Sequence, residues 1–500
     1  MRWTKDFLPR RPRVARLQVE RLESREVLSA AGPSTPLNDL TALYNGQQGG
    51  LYPNDTDTRP ASLESAAESI AARIVPLDGN GNANPSSGKI VLLSIGMSNA
   101  ADEWDGGPTA FEPVANADPS KNPKLAIVNG AQSGVDASGW ANPNSSAWTT
   151  VLSRLQSAGL TAKQVEVVWL KEALAYPELL GGFLPAAQKL QSDLEAIARN
   201  LKTKFPNVKI AYLSSRTHAF TTTGLNPEPY AYESGFADKW AIQDQINGRG
   251  NLNWDPTKGA VVAPLLSWGS YLWANGTSPR SDGFAWTTSD VGTDLTHPSS
   301  SGVTRIGQML LAFFKTDPTT TPWFLRAATN GAAPTVTLSA NHISGVSGLV
   351  VQFTASARAA FGDSISQYAW TFDDGDFAFG PTPTKTFFVP GTYIVHLAVS
   401  DSAGNVTLKT ITITVSGGAG GQPPAPTAVV AAPTLSTAFV TTTSKSSNDA
   451  FWISTAASDS LMPSASAAPL VPTAPAMSLS ATALSGASSS QHSVWGLDEI

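Results

Sequence analysis

The stretch Lys89-Ile90-Val91-Leu92-Leu93-Ser94-Ile95-Gly96-Met97-Ser98-Asn99 decides the fold class of this chain. Its run of Val, Ile and Leu is typical of a buried strand, and Gly96 ends that strand. Ser98 follows at once, so we expect its hydroxyl at the carboxyl end of a sheet strand. Open α/β folds bind their ligands at that end of the sheet.

The rest of residues 37–330 alternates apolar strands with amphipathic helices. The further strands are expected at Leu125–Asn129, Gln164–Leu170, Lys209–Ser214 and Val261–Leu266, and the main helices at Leu63–Ile74, Pro185–Phe205 and Ser299–Phe314. Alternation of this kind predicts an α/β domain of three layers, with a parallel sheet covered by helices on both faces.

Composition narrows the function classes. The chain has 500 residues, of which 41% are hydrophobic, and a formal net charge of −6, which gives no electrostatic basis for nucleic-acid binding. Cysteine is absent, so disulfides and thiolate metal sites are excluded. The sequence also lacks a run of about 18 apolar residues, the length that a transmembrane helix needs.

The two ends of the chain differ in amino-acid composition from the domains between them. Residues 1–36 are basic, are expected to be disordered, and lack the apolar core of a secretory signal. Within them, Arg16–Ser29 resembles the LEPR leader of large exported proteins from planctomycete-type bacteria, with Ser24 in place of the proline; a plain basic tail is the alternative. Residues 417–500 are rich in Ala, Ser, Thr and Pro, and we expect them to be disordered because they bury too little apolar surface. The leader resemblance implies an exported protein, extracellular or at the cell surface.

Residues 331–416 consist of short alternating apolar runs separated by turn residues, a pattern typical of an all-β sandwich. The segments Trp370–Gly375, Pro390–Tyr393 and Val399–Asn405 resemble the PKD domain. That resemblance implies an immunoglobulin-like spacer or binding module that contacts carbohydrate or protein. The acidic turn Asp373-Asp374-Gly375-Asp376 is interpreted as a solvated hairpin, with Ca²⁺ binding as the alternative.

One acid and one histidine stand at a spacing suited to catalysis. Of the five histidines, only His218 and His297 fall in the α/β domain, and His297 follows Asp294 by three residues. On a loop, that spacing lets the carboxylate accept from Nδ1 while Nε2 faces outward to activate a serine hydroxyl. We therefore predict Ser98 as nucleophile, His297 as base and Asp294 as the acid that orients it.

These motifs resemble those of the SGNH, or GDSL-type, hydrolases, over residues ~85 to ~316. Gly96-Met97-Ser98-Asn99 is similar to the block that carries the family's nucleophile, and Asp294 with His297 is similar to its last block. The resemblance implies a flavodoxin-like sheet and an oxyanion hole formed by the N–H groups of Ser98 and Gly134. It implies no cofactor.

The third block of the family is where this chain departs. Lys171-Glu172-Ala173-Leu174 follows the third strand, where the family has an oxyanion-binding asparagine. Asn99 and Lys171 are the candidate replacements, against the alternatives of a turn asparagine and a surface lysine. Arg216 is a candidate contact for a substrate carboxylate or sugar oxygen, or else part of a structural ion pair. His218, which lacks an acid at suitable spacing, is expected behind the site or in solvent.

Two further polar segments are interpreted as loops without a catalytic role. The acids Asp102, Glu103 and Asp105 are interpreted as a solvated loop, and Asn226–Glu233 with Lys239-Trp240 as an aromatic loop that roofs the pocket or packs against the domain. No His-rich spacing supports a metal site, which disfavours a phosphodiesterase or other metal hydrolase.

The sequence thus predicts an exported serine esterase that acts on a small-molecule or polysaccharide ester. Family analogy and the PKD-like module indicate O-acyl groups, such as acetyl, on carbohydrates. The alternative is a catalytically weak or inactive binding or scaffold protein of the cell surface.

Overall fold

The computed structural model describes residues 35–327 and 333–417. The leader-like segment Arg16–Ser29 and the low-complexity residues after 417 lie outside the described residues. The elements of residues 35–327 are, in chain order, β1 (Leu43–Tyr44), β2 (Gln47–Gln48), α1 (Ala61–Ala71), β3 (Ile90–Gly96), α2 (Ser98–Asp105), α3 (Phe111–Ala117), β4 (Leu125–Asn129), α4 (Ala137–Ala141), α5 (Ser146–Ser157), β5 (Val165–Lys171), α6 (Phe183–Lys204), β6 (Ile210–Leu213), α7 (Tyr230–Ile246), β7 (Leu265–Trp268), α8 (Ser300–Thr316) and α9 (Thr321–Phe324).

The five strands β3 to β7 form one parallel sheet in the order β4-β3-β5-β6-β7. Every residue of β3 and β5 is buried, as expected for strands with helices over both faces. Right-handed crossovers place α2 and α3 on one face and α4 to α7 on the other. The mixed α/β architecture with a parallel sheet, predicted from the alternation of apolar runs, is confirmed.

The fifth strand and one helix differ from the sequence-based expectation. The fifth strand begins at Leu265, whose N–H bonds to the Lys209 carbonyl at 2.9 Å, because the preceding Pro264 has no N–H to donate. The supposed loop Asn226–Trp240 is helical from Tyr230 onward. Charged residues such as Asp238 are buried in α7, so the helix lacks the polar face that would have revealed it.

The C-terminal part of the described chain is a sandwich of two sheets. Its strands are β8 (Thr335–Ala340), β9 (Ser344–Val346), β10 (Leu349–Arg358), β11 (Ile365–Thr371), β12 (Phe377–Phe379), β13 (Thr384–Phe387), β14 (Gly391–Asp401) and β15 (Val406–Ser416). Three of them pair in the order β13-β10-β8 and five in the order β12-β11-β14-β15-β9. Their inward side chains enclose a separate apolar core around Trp370 and Phe353. The predicted all-β C-terminal domain is confirmed.

The sandwich packs against α8 and buries its acidic turn in the contact. Asp376 accepts hydrogen bonds from Asn38 Nδ2 at 2.8 Å and Ser281 Oγ at 3.0 Å, and it pairs with Arg280 at 3.2 Å. Lys385, from the sandwich, pairs with both Asp374 and Asp376. The turn is therefore buried, and its interpretation as a solvated hairpin is wrong.

The carboxylates of this turn are balanced by cations of the chain itself. Within residues 35–327 and 333–417, no group of three or more His, Asp or Glu side chains is placed to hold a metal ion. Among the same residues, no helix is both long and apolar enough to cross a bilayer.

Arg280 is the residue on which this domain contact most depends. Its side chain is fully buried and pairs with Asp282 at 2.6 Å as well as with Asp376. We expect Arg280→Met to lower the free energy of unfolding by about 3–5 kcal/mol, because it leaves the buried Asp282 without its cation and Asp376 with Lys385 alone. Urea titration measures this, with the exposed Arg358→Met as control. An Arg280→Met midpoint equal to that of the wild type would contradict it.

Asp39 gives the contact a dependence on pH. Burial, opposed by Lys385 and reinforced by Asp376, raises the pKa of Asp39 from 3.8 to about 6. Its stabilising contribution is therefore complete below the unfolded pKa and is lost as the pH rises through the folded pKa. We expect the urea midpoint of Asp39→Asn to fall less between about pH 5 and about pH 8 than those of the wild type and the exposed control Glu68→Gln. Equal pH dependence in all three proteins would contradict this.

Candidate active site

Ser98 lies where β3 ends and α2 begins. A Cβ at Gly96 would come within 2.5 Å of the Lys171 carbonyl oxygen on β5, so this position tolerates only glycine. The chain then turns directly into α2, with Ser98 as its first residue. The first N–H groups of a helix have no partner within it, and they carry the positive end of its dipole. Ser98 is therefore placed at a local centre of positive potential.

The structure brings Ser98, His297 and Asp294 together at the carboxyl edge of the sheet. Ser98 Oγ lies 2.6 Å from His297 Nε2, although the two residues are 199 positions apart in sequence. The other ring nitrogen, Nδ1, bonds to Asp294 Oδ2. Asp294 Oδ1 accepts from the backbone N–H of His297 at 3.0 Å and of Thr296 at 3.1 Å.

These bonds keep Asp294 ionised. Partial burial alone would raise the pKa of Asp294, but the hydrogen bonds from the His297 ring and from the two backbone N–H groups hold it below its usual value. A carboxylate in this state accepts from Nδ1–H, which leaves Nε2 as the acceptor facing Ser98 Oγ. The arrangement can therefore remove a proton from the serine hydroxyl.

The loop that carries His297, residues 294–297, is held by hydrogen bonds from two other segments of the chain. Asn99 Nδ2 donates to the Thr296 carbonyl at 2.9 Å, and the Leu295 carbonyl accepts from the Phe220 N–H at 2.8 Å. Leu295 itself adopts a φ of 60°, a left-handed conformation that costs about 1–2 kcal/mol for a residue with a Cβ. Asn99, a candidate oxyanion donor by sequence, instead uses its amide to position the loop that carries His297.

Gly134 lies in the loop after β4, which is bonded to the end of β3. The Gln132 N–H donates to the Gly96 carbonyl at 2.9 Å, which fixes the loop after β4 against the end of β3. Gly134 turns this loop with a φ of 79°. Among the described residues, no acceptor engages the N–H of Gly134 or of Ser98. Both predicted oxyanion donors are therefore free to bind an incoming oxygen.

Lys171 and Glu103 form a buried ion pair. Neither side chain is exposed, and the ammonium contacts one carboxylate oxygen of Glu103. Burial lowers the pKa of Lys171 to about 8, against the opposing effect of Glu103. Two expectations are wrong: Lys171 lies too deep to touch a substrate, and Glu103 is not in a solvated loop, because α2 turns it inward onto the sheet.

Arg216 and His218 follow β6 at the same edge. Arg216 is 4% exposed and has no ion pair within 4 Å among the described residues, so the alternative of a structural ion pair is not what is found. His218 Nδ1 lies 3.1 Å from Glu228 Oε1, an acid whose role the sequence did not reveal because it stands ten residues further on. Glu228 also accepts from Trp273 Nε1 at 2.8 Å, so this histidine belongs to an internal network.

Two of the three central side chains reach the surface. The side chains of Asp294 and His297 are 50% and 32% exposed, while Ser98 is nearly buried and retains 9% of its surface. The group is therefore bordered by solvent on the side of the histidine loop.

Comparison with known proteins gives a firm result for the C-terminal sandwich. Residues 331–415 match the PKD domain family model. The PKD domain predicted from the sequence is confirmed. The chain is also 24% identical to the PKD1 domain of Vibrio anguillarum Epp, over 18% of this chain and 100% of that chain, with a TM-score of 0.16.

Two other solved structures are similar over a comparable share of the chain. The PKD1 domain from the Vibrio cholerae metalloprotease PrtV is 27% identical over 17% of this chain and 98% of that chain, with a TM-score of 0.15. A structure of carbohydrate-binding modules from the β-sandwich superfamily is 30% identical over 18% of this chain and 38% of that chain, with a TM-score of 0.18. No curated protein matches the chain.

The ion pair beneath Ser98 can be tested by a double-mutant cycle. We expect Lys171→Met and Glu103→Gln each to lower the free energy of unfolding by about 3–5 kcal/mol, because each leaves a buried group without its partner. The double variant should lose much less than the sum of the two, because it removes both charges. Chemical denaturation measures all three, and strictly additive losses would contradict the pairing.

Proposed function

We propose that the α/β domain is a serine esterase of the SGNH type. The proposal rests on one observation above all, the 2.6 Å contact between Ser98 Oγ and His297 Nε2 with Asp294 on the opposite ring nitrogen. The sheet order supports it, because the five strands in chain order are arranged 2-1-3-4-5, as in flavodoxin-like folds. In that order the topological switch lies between β3 and β5, directly beneath Ser98.

The reaction follows from the positions of these groups. His297 Nε2 takes the proton of Ser98 as Oγ attacks the ester carbonyl, and Asp294 stabilises the resulting imidazolium. The same proton then passes to the departing alcohol, which leaves an acyl-serine. Water deprotonated by His297 attacks that ester, and collapse releases the carboxylic acid and regenerates the hydroxyl.

Negative charge on the carbonyl oxygen would be held by backbone groups. Within residues 35–327 and 333–417, the N–H groups of Ser98 and Gly134 have no acceptor, and the first also opens α2. The side-chain donor of the family's third block has no counterpart, because Lys171 is buried and Asn99 is bound to Thr296. One such donor contributes about 3–4 kcal/mol to transition-state stabilisation, so we expect a lower turnover number than in an enzyme with three.

The substrate class is proposed from exposure and domain context. A serine that is nearly buried beside an exposed histidine loop suits a short acyl group carried by a large molecule, since the polymer remains outside the protein while its ester contacts Oγ. PKD domains are typical of extracellular proteins, which agrees with an exported enzyme acting on an O-acylated, for example acetylated, polysaccharide. The PKD domain would then contact carbohydrate or protein beside the catalytic domain.

Replacement of the nucleophile tests this proposal. We expect Ser98→Ala to reduce hydrolysis of p-nitrophenyl acetate by about 10⁴-fold or more, because Ser98 supplies the hydroxyl that bonds to His297 Nε2 in the described part of the chain. The exposed Ser153→Ala is the matched control and should retain wild-type activity. Circular dichroism and the urea midpoint establish that both variants are folded.

Two outcomes of that assay would count against the proposal. Undiminished activity in folded Ser98→Ala would remove Ser98 from the reaction. Absence of turnover in the wild type, on aryl acetates and on acetylated polysaccharides alike, would favour the inactive binding or scaffold protein, for which the missing side-chain donor is the supporting observation.

A further inference from the structure

Arg216 is a buried cation without a bonding partner. It follows β6 and is 4% exposed, yet none of its five N–H donors is hydrogen-bonded to another described residue. Nε is completely buried and unsatisfied. The two terminal nitrogens carry what remains of its surface. Burial of an unpaired charge costs free energy, and a ligand that supplies acceptor oxygens would remove part of that cost.

The nearby acids do not bond to Arg216. Glu228 accepts from the Ala219 N–H at 3.2 Å and from Trp273 Nε1 at 2.8 Å through the same oxygen that faces His218. Its other oxygen accepts from the Tyr232 N–H at 3.2 Å. Glu228 is therefore already occupied by neighbours other than Arg216.

Neither of the two remaining acids bonds to Arg216 within the described residues. Glu103 contacts Lys171 through Oε1, and its buried Oε2 has no hydrogen-bond partner there. Burial raises the pKa of Glu172 well above its ordinary value, which opposes its ionisation, and among the described residues neither of its oxygens bonds to Arg216. The carboxyls around Arg216 thus lower its electrostatic cost without supplying the oxygens that its donors need.

Arg216 lies on the same edge of the sheet as Ser98. The Ser214 N–H bonds to the Leu170 carbonyl at 3.0 Å, so the chain passes from the end of β6 alongside the end of β5. Strands lie about 4.8 Å apart, so the end of β6, from which Arg216 follows, is about 10 Å along the edge from the end of β3, which presents Ser98. Its charge acts on both Lys171 and Glu103, the pair directly beneath Ser98.

We propose that Arg216 binds the carboxylate of an acidic sugar whose ester is presented to Ser98. The inference rests on the proposed esterase function and narrows its substrate class to O-acylated polysaccharides that contain uronic acid. A carboxylate matches the planar fork of the guanidinium with two parallel hydrogen bonds. A hexuronic acid carries its carboxylate and its acylated hydroxyls on one ring, so a single sugar residue presents both groups to this edge of the sheet.

The experiment measures binding, so it does not depend on turnover. Wild-type protein is titrated by calorimetry or ligand-observed NMR with D-galacturonate, its neutral methyl ester, D-galactose and D-galactose 6-sulfate. We expect galacturonate to bind about tenfold or more tightly than its methyl ester and than galactose. Galactose 6-sulfate distinguishes the source of negative charge, and it should bind more weakly than galacturonate because its charge is not a planar carboxylate.

Variants test whether the preference for galacturonate over its methyl ester depends on the Arg216 side chain. Arg216→Gln should bind galacturonate no better than the methyl ester, Arg216→Lys should retain part of the preference, and the exposed control Arg249→Gln should retain all of it. Because the cation is unpaired, we also expect Arg216→Gln to unfold at a denaturant concentration no lower than that of the wild type.

The proposal is overturned by any of three results. These are equal binding of galacturonate and its methyl ester by the wild type, a preference for the sulfate, or an unchanged preference for galacturonate in Arg216→Gln. The first two need no variant, so they decide even if Arg216→Gln does not fold. None of the three depends on esterase turnover, and a protein that hydrolyses no ester can still show the predicted binding.

Discussion

The whole site depends on β3 being held in parallel register between β4 and β5. This pairing stops β3 at Gly96, where the close approach of the Lys171 carbonyl leaves no room for a side chain. The backbone must then turn into α2, and Ser98 becomes the first residue of that helix. The position of the hydroxyl, its nearness to a helix N-terminus and its access from the sheet edge all follow from that one constraint.

A second link holds the other half of the site in place. The bond from Asn99 to the Thr296 carbonyl joins the residue after Ser98 to the residue before His297. It fixes the histidine loop together with the Phe220–Leu295 backbone bond, and the left-handed Leu295 is held between them. Strain of this kind persists only where surrounding contacts determine the backbone, and it is frequent at functional sites. Burial of Arg216 at the same edge of the sheet is a second unfavourable contribution to the free energy of folding.

The proximity of Ser98 and His297 could be predicted because each depends on a local signal. An apolar run with glycine and serine after it defines a strand end, and an acid three residues before a histidine defines a loop that presents the ring. A parallel sheet gathers its strand ends at one edge, so two local motifs meet there. That Ser98 acts as a nucleophile and His297 as its base stays a prediction.

Features that depend on distant partners could not be predicted in this way. Lys171 and Glu103 are 68 residues apart, and nothing in either segment indicates that both are buried. The acidic turn of the sandwich seemed solvated because Arg280, which buries it, belongs to the other domain. Helix α7 was missed because its charged side chains face the interior. In each case a polar group is buried, whereas a sequence pattern assigns polar groups to the solvent-exposed surface. That difference explains why the prediction was wrong.

The most direct test of the account is covalent labelling of the intact protein with a fluorophosphonate, followed by peptide mass spectrometry. Only a serine whose proton is taken by a neighbouring base reacts quickly with this reagent. The account predicts a single adduct on Ser98 that forms rapidly in the wild type and is lost in His297→Ala. A folded wild-type protein in which Ser98 remains unlabelled, or is labelled at the same rate without His297, would contradict it.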